Sequence, residues 1–413
     1  MDSKAGPLGN NCVKPYRVLE LSMKRVVIIS GKESFGGAAK ALVETATLLQ
    51  RLESLTCSVL LARDSEIVGK LMASDVEARV AWHGEYLVPA PMCKYKRPAK
   101  YLVALIRYLA GLRKSVRIAE NTIDFDTVDV VHTNTPRFDL GIILARRHNI
   151  KHVMHLRENS FTFFHCWSYR PDPIAYMNSG ASAFIAVSES VAKRWATKGL
   201  DENKIEVIYD GVDQSKKIKN AEAGAWRQQR QLRIVYLGGY DSRKGVWDAV
   251  QAVEALDDLR ETVVTLDVYG GGSARLRCQL ERFVRSRSAQ GRITFHGMAD
   301  NIWRELPNYH MGLACSRDEA FGRTVIEYQA CGLITVVSDS GSFPELIQDS
   351  VNGLIYESER GAEGLKDKIQ EVLDENVDID ALVKNGFDNA SLYTAEENCR
   401  RIEELYDRLL KED

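Results

Sequence analysis

The chain has 413 residues, 45% of them apolar and 27% charged, a length and balance that suggest two domains folded around buried cores. Its net charge of -2 supplies no whole-molecule field for nucleic acid, so any anion site must be local. The eight cysteines fall without a Cys-x-x-Cys pair, which argues against a zinc knuckle or a compact disulfide framework.

Residues 1–22 read as a leader, disordered in expectation, that lacks the apolar middle of a signal peptide. No apolar run approaches the roughly 20 residues of a membrane span, so a cytoplasmic location is expected. Residues 26–30 form a β-branched run ending in Gly31, and Phe35-Gly36-Gly37 then opens a helix, giving strand, glycine turn and helix. Further apolar runs at 58–61, 128–132, 152–155, 183–188 and 204–208 alternate with helical stretches. Such near-continuous strands predict an α/β fold with a parallel sheet covered on both faces. A polar segment after Tyr209-Asp210-Gly211-Val212-Asp213 marks a boundary, and a second series of strands follows at 233–238, 265–270, 293–296, 312–315 and 335–338. The expected division is therefore 1–22, 23–208, 209–393 and an amphipathic closing helix over 394–413, with Ile402, Leu405, Leu409 and Leu410 on its apolar face.

In open α/β sheets, ligands gather outside the carboxyl ends of strands, where turns and helix N-termini offer free N–H groups. Four motifs of the second half follow strands: 238–245, 269–272, 319–324 and 340–345. The most specific is Glu319-Ala320-Phe321-Gly322-Arg323-Thr324-Val325-Ile326-Glu327. A helix over 324–331 would favour a phosphate at its N-terminus, while Gly322 admits close backbone approach. Glu327, one turn deeper, can accept two ribose hydroxyls, and Glu319 can reach hydroxyls of a sugar beyond a diphosphate.

This stretch resembles glycosyltransferase family four, of the GT-B fold, in which two glutamates separated by seven residues flank a Phe-Gly turn and a following helix. The resemblance runs from Met23 onward and implies two Rossmann-like domains facing across a cleft, with the acceptor on the first and a nucleotide sugar on the second. It implies donor-sugar contacts from Glu319, backbone contacts from Phe321 and Gly322, and ribose binding by Glu327, with Gly238, Arg323 and Thr324 in the same donor site. Lys244 matches the family's lysine, a cation for the diphosphate and the leaving group. The family usually carries arginine directly after the first glycine of that loop, where this chain has Gly239, and Arg243 either supplies that charge from a shifted position or is a surface residue. Glu345 is expected to be architectural.

On the acceptor side, His155 matches a family histidine facing the cleft, with Arg157 and Glu158 beside it. Gly36 and Gly37 match the glycine-rich first loop, and Asp210 stands where asparagine is usual. The family implies retention of anomeric configuration. Transfer is expected without metal or cofactor, on a glycan or lipid-linked acceptor. The readings kept beside it are a non-catalytic nucleotide-sugar-binding partner of another transferase, a nucleotide-sugar epimerase and a phosphorylase.

Residues 94–117 carry Lys94, Lys96, Arg97, Lys100, Arg107, Arg113, Lys114 and Arg117 with no acidic residue, interleaved with apolar side chains. This is either a core-packed helix with a solvated basic face or a peripheral contact with an anionic membrane.

Overall fold

The computed structural model describes residues 23–31, 36–89, 97–158, 166–215, 217, 224–256, 262–287, 291–299 and 301–412. The first lobe contains strands β1 (Lys24–Ser30), β2 (Leu55–Leu61), β3 (Glu77–Val80), β4 (Leu87–Pro89), β5 (Val130–Thr133), β6 (Lys151–Leu156), β7 (Cys166–Ser168), β8 (Ala183–Ala186) and β9 (Ile205–Val207). Seven of these form one sheet in the order β3-β2-β1-β5-β6-β8-β9, while β4 and β7 pair separately and antiparallel. Every pairing in the large sheet is parallel. Its inner strands bury both faces, which is why they read as unbroken apolar runs such as Val26-Val27-Ile28-Ile29.

The second lobe repeats the plan with β10 (Gln231–Tyr236), β11 (Val263–Val268), β12 (Ile293–Phe295), β13 (Met311–Ala314), β14 (Ile334–Ser338) and β15 (Leu354–Tyr356), in the order β12-β11-β10-β13-β14-β15, all parallel. In each lobe the strand order reverses beside the first strand, between β1 and β5 and between β10 and β13. A crevice at the carboxyl end of such a switch point is where open α/β sheets take ligands. Gly36-Gly37 follow β1, the 238–245 loop follows β10, and the 319–322 loop follows β13, so the sheet topology alone directs the three motifs to those crevices.

The closing helix, Ala395–Lys411, returns to the first lobe. Ile402, Leu405 and Leu409 pack among Val26, Ile28 and Val130, and Lys24 Nζ pairs with Glu403 at 3.2 Å. Val212 N donates to Tyr393 O at 3.1 Å, and Ala395 N donates to Val212 O at 3.2 Å. The chain therefore crosses between the lobes twice, side by side. An apolar cluster that joins Val187, Val191 and Trp195 to Phe321, Val325 and Phe343 ties the lobes together. Sequence periodicity found the central strands and missed β3, β15 and the β4–β7 pair, all of them at sheet edges or outside the main sheets.

Candidate active site between the lobes

The donor-side loops are shaped by backbone contacts that only glycine permits. Gly245 has φ +71°, and a Cβ there would lie 2.0 Å from the Cys315 carbonyl oxygen. That approach brings the loop after β10 onto the loop after β13, where Lys244 Nζ donates to Glu319 Oε2 at 2.7 Å. Tyr236 Oη donates to the Lys244 carbonyl at 2.7 Å and fixes the turn from below. Gly341 has φ +63°, and a Cβ would meet Glu319 O at 2.1 Å. Ser342 N donates to Glu319 O at 3.1 Å, Ser342 Oγ to Phe321 O at 2.8 Å, and Ser188 Oγ, from the first lobe, to Ala320 O at 2.6 Å. The Phe321 ring is buried against Tyr209 and Tyr393, so only its backbone faces outward.

The helix after this loop runs Arg323–Ala330, one residue earlier than the sequence suggests, with Gly322 at φ +94° as its N-cap. Gly37, the first residue of helix Gly37–Gln50, lies with its Cβ position 3.8 Å from Arg323 Cδ. The side chain that starts one helix thus reaches the first residue of a helix from the opposite lobe, and each helix start carries the positive end of its dipole.

Charged side chains from both lobes surround that contact. Arg323, expected at the donor, is committed across the cleft: Nη2 donates to both Glu44 carboxylate oxygens at 2.9 and 2.7 Å, and Nη1 donates to the Gly211 carbonyl. Burial raises the Glu44 carboxyl above its usual range, with Arg323 pulling the other way. Burial likewise raises the Glu327 carboxyl, and Lys40 and Arg323 offset it. Arg243 is partly exposed and bound to its neighbour Asp241 at 2.6 Å, with Glu158 of the first lobe also acting on it. Thr324, the second residue of the helix, is half-buried.

Gly239 has a structural reason. Its φ is +65°, and a Cβ would lie 2.3 Å from Gly271 O. Gly239 N donates to Tyr269 O at 3.0 Å, Tyr240 N to Gly271 O at 2.8 Å and Ser273 N to Tyr240 O at 2.9 Å. The loops after β10 and β11 are zipped together through Gly270-Gly271-Gly272, which leaves no room for an arginine side chain in this geometry. Gly238 is similarly enclosed, with a Cβ 2.1 Å from Tyr236 Oη.

On the first lobe the structure differs from the expected cleft-facing imidazole. His155 is 0% exposed, stacked on His132 with Nδ1 3.2 Å from His132 Nε2, and His132 Nδ1 lies 2.5 Å from Tyr406 Oη of the closing helix. Burial, helped by Arg157, drives the His155 pKa well below 6.5 and that of His132 to about 3. The imidazole lies behind the wall of the cleft because its strand is inside the sheet, and its charged form is suppressed.

Two residues on, Arg157 is held by Asp210 at 2.6 and 2.8 Å through Nη1 and by Asn134 at 2.9 Å through Nε. Asp210, in place of asparagine, supplies the counter-charge of a buried pair at the crossover. Glu345 accepts from Glu189 N, Ser190 N and Tyr209 Oη at 2.8, 2.7 and 3.1 Å, capping a first-lobe helix from the second lobe. That is an architectural contact.

Lys244 and Glu319 are thus in contact, and Gly37, Lys40 and Glu44 of the first lobe come to Arg323 and Glu327 of the second, whereas His155 is wholly buried among other side chains. Phe35 lies outside the described residues. Sequence reasoning overlooked Lys40 and Glu44. The signal was available, since 37, 40 and 44 recur at helical spacing after a glycine turn and share the helix face that meets Arg323 and Glu327. Among the described residues, no group of three or more His, Cys, Asp or Glu could hold a metal ion.

Two Rossmann-like lobes, each with a parallel sheet, make the GT-B architecture of glycosyltransferases. The model described as Glycosyltransferase Family 4 matches residues 35–216 and that described as Glycosyl transferases group 1 matches residues 219–388, so the chain belongs to glycosyltransferase family four. Among curated relatives, the N,N'-diacetylbacillosaminyl-diphospho-undecaprenol alpha-1,3-N-acetylgalactosaminyltransferase of Campylobacter jejuni is 26% identical over 322 residues, covering 74% of this chain and 81% of that protein. The GDP-mannose:cellobiosyl-diphosphopolyprenol alpha-mannosyltransferase of Xanthomonas campestris is 22% identical, covering 70% and 72%. Among solved structures, Anabaena HepE in complex with UDP and glucose superposes with a TM-score of 0.74 at 18% identity, over 92% of this chain and 99% of that one.

Proposed function

We propose that the chain transfers a sugar from a nucleotide-diphosphate donor to a glycan or lipid-linked acceptor, with retention of configuration and without metal assistance. The observation that carries this reading is the Lys244–Glu319 contact on the loop that leads into helix Arg323–Ala330, whose first side chain reaches Gly37 at the start of a first-lobe helix. A diphosphate in the cleft there is stabilised from both lobes by backbone dipoles. Glu327 receives the ribose hydroxyls, Glu319 the hydroxyls of the donor sugar. Lys244 exchanges its carboxylate partner for the charge that develops on the departing nucleoside diphosphate.

Gly239, Arg243 and Arg323 leave Lys244 as the cation on the phosphate side of the second lobe in this reading. With the Glu319 carboxylate given to the sugar hydroxyls, no other nucleophile is assigned among the described residues, and this reading takes same-face attack through an ion pair as the route to retention. Closure of the lobes excludes water from that ion pair. The polyprenol-diphosphate acceptors named for two relatives make a lipid-linked acceptor the favoured class, reached from the cytoplasmic side of a membrane.

The test begins with thermal stabilisation of the purified chain by a panel of nucleotide sugars, since a bound donor raises the melting temperature according to its affinity. Transfer is then followed with the stabilising donor, and the product's anomeric proton is read by NMR. Lys244→Ala is expected to slow transfer by about a hundredfold to a thousandfold with donor binding largely kept. An inverted linkage would overturn retention. Calorimetric donor binding without transfer or donor hydrolysis would make the chain a binding partner of another transferase.

A further inference from the structure

Helix Arg97–Thr122 carries an unusual solvent face. From residue 102 onward its exposed positions are Leu102, Val103, Ile106, Arg107, Leu109, Ala110, Arg113, Lys114, Arg117 and Asn121, with no acidic residue among them. Leu102, Val103, Ile106 and Leu109 are 56%, 49%, 56% and 53% exposed, which gathers four large apolar side chains into two helical turns. Trp82, 40% exposed, abuts the same helix, its ring less than 3 Å from where a Cβ on Gly111 would be. The opposite face is anchored: Tyr108 donates to buried Asp139, which Arg170 also holds at 2.7 Å, and Val116 and Ala119 sit in the first-lobe core. The apolar face is therefore presented by a fixed helix, and lone exposed apolar residues elsewhere do not share this clustering.

Charge divides the same face lengthwise. Its first half is apolar apart from Arg107, and its second half presents Arg113, Lys114 and Arg117 side by side on the open surface of the helix. An apolar stripe continuing into a cationic one matches the acyl boundary and anionic headgroups of a bilayer leaflet, and it matches neither water nor a purely apolar protein groove. Orientation adds a second point. Tyr108 binds Asp139, a few residues past the carboxyl end of β5, and the carboxyl ends of β1 and β5 form the cleft wall. The apolar half thus lies at the cleft edge of the sheet and the cationic half farther along it.

We propose that residues 102–117 are a docking face for an anionic bilayer surface, with Leu102, Val103, Ile106 and Leu109 entering the interface and Arg113, Lys114 and Arg117 holding phosphate headgroups. Docked in this way, the cleft opens next to the membrane, where a lipid-linked acceptor could enter from the leaflet. Only that last consequence rests on the transferase reading. Among the described residues no helix is long and apolar enough to cross a membrane, so the contact is with one leaflet.

Flotation of the full chain with vesicles tests this, using phosphatidylcholine alone or mixed equally with phosphatidylglycerol. Binding is expected only to the mixed vesicles and is expected to fall as salt is raised. Ile106→Asp and the pair Arg113→Glu/Lys114→Glu are each expected to weaken it by about tenfold or more. All these positions are exposed, so melting temperature and thermal stabilisation by nucleotide sugars should match the parent chain and separate a docking failure from a failed transferase assignment. Binding that ignores phosphatidylglycerol and salt, or that neither variant changes, would overturn the proposal. So would analytical ultracentrifugation showing that Ile106→Asp splits a dimer, since a second copy would then be what covers the face.

Discussion

The two walls of the cleft are built by different means. On the second lobe, position is set by backbone: Gly239, Gly245, Gly322 and Gly341 all have positive φ and press carbonyls or aromatic rings to distances no Cβ tolerates. On the first lobe, position is set by buried side chains that meet from distant parts of the chain, as Arg157 meets Asn134 and Asp210, and His155 meets His132 and Tyr406. A wall made of glycine turns is rigid yet electrically open, and leaves its dipoles free for a ligand. A wall made of buried side chains, its Arg157–Asp210 pair satisfied but His155 Nε2 left without a hydrogen-bond partner among the described residues, acts by holding shape. The largest test of the contrast is Arg157→Ala, which strands the Asp210 carboxylate in a site where both side chains are under a tenth exposed. A loss of about 3–5 kcal/mol is expected by chemical denaturation, with Arg157→Leu/Asp210→Leu recovering part of it. A loss below about 1 kcal/mol would mean the pair is not what holds this wall.

The second wall is probed by its glycines, with a smaller effect. Gly239→Ala forces a side chain into left-handed backbone and against the Gly271 carbonyl, and about 2 kcal/mol of destabilisation is expected. Gly37→Ala has ordinary backbone and nothing nearer than Arg323 Cδ at 3.8 Å. It should leave the melting temperature unchanged or slightly raised, because alanine suits a helix better than glycine. If the two substitutions cost the same, close backbone approach is not the principle on which the donor wall is made.

This difference also explains what could be read in advance. Glycine turns and the Glu319–Glu327 stretch are contiguous, so the sequence exposes them directly, and strand alternation locates them at carboxyl ends. The Arg323–Glu44 pair joins residues 279 positions apart, and nothing in either segment names the other. His155 was legible as a strand-end histidine, but its burial depends on His132 and on a helix that returns from the far end of the chain. Gly239 read as a missing cation until the facing glycines of 270–272 supplied the reason. Lys40 was within reach, since Gly37, Lys40 and Glu44 fall on one helix face, yet only the opposing helix reveals why that face matters.

The smallest test uses pH and separates the lobes by their histidines. In the first lobe His132 and His152 are pushed down to about 3 by burial, and His155 well below 6.5. In the second lobe His310 is lowered to about 4. A histidine lowered in the folded state takes its proton first in the unfolded chain. Its stability contribution is therefore complete above the unfolded pKa of 6.5 and is lost as pH falls from there toward the folded value. Each such group contributes a slope of about 1.4 kcal/mol per pH unit in that window. The raised carboxyls and the raised His148 act oppositely, binding protons more readily when folded, but Glu44 and His148 lie in the first lobe and Glu327 and Asp248 in the second, so they do not change the ranking. Four buried neutral imidazoles against one, His83 being the fourth of the first lobe and likewise lowered by burial, predict that mild acidification loosens the first lobe before the second. Hydrogen exchange of the full chain at about pH 7 and about pH 5.5 should show faster opening of β5, β6 and β8 than of β10, β13 and β14 once intrinsic rates are corrected. Equal loss in both lobes would mean that the buried imidazoles of the first wall do not set its stability, and that the contrast between the walls is one of geometry alone.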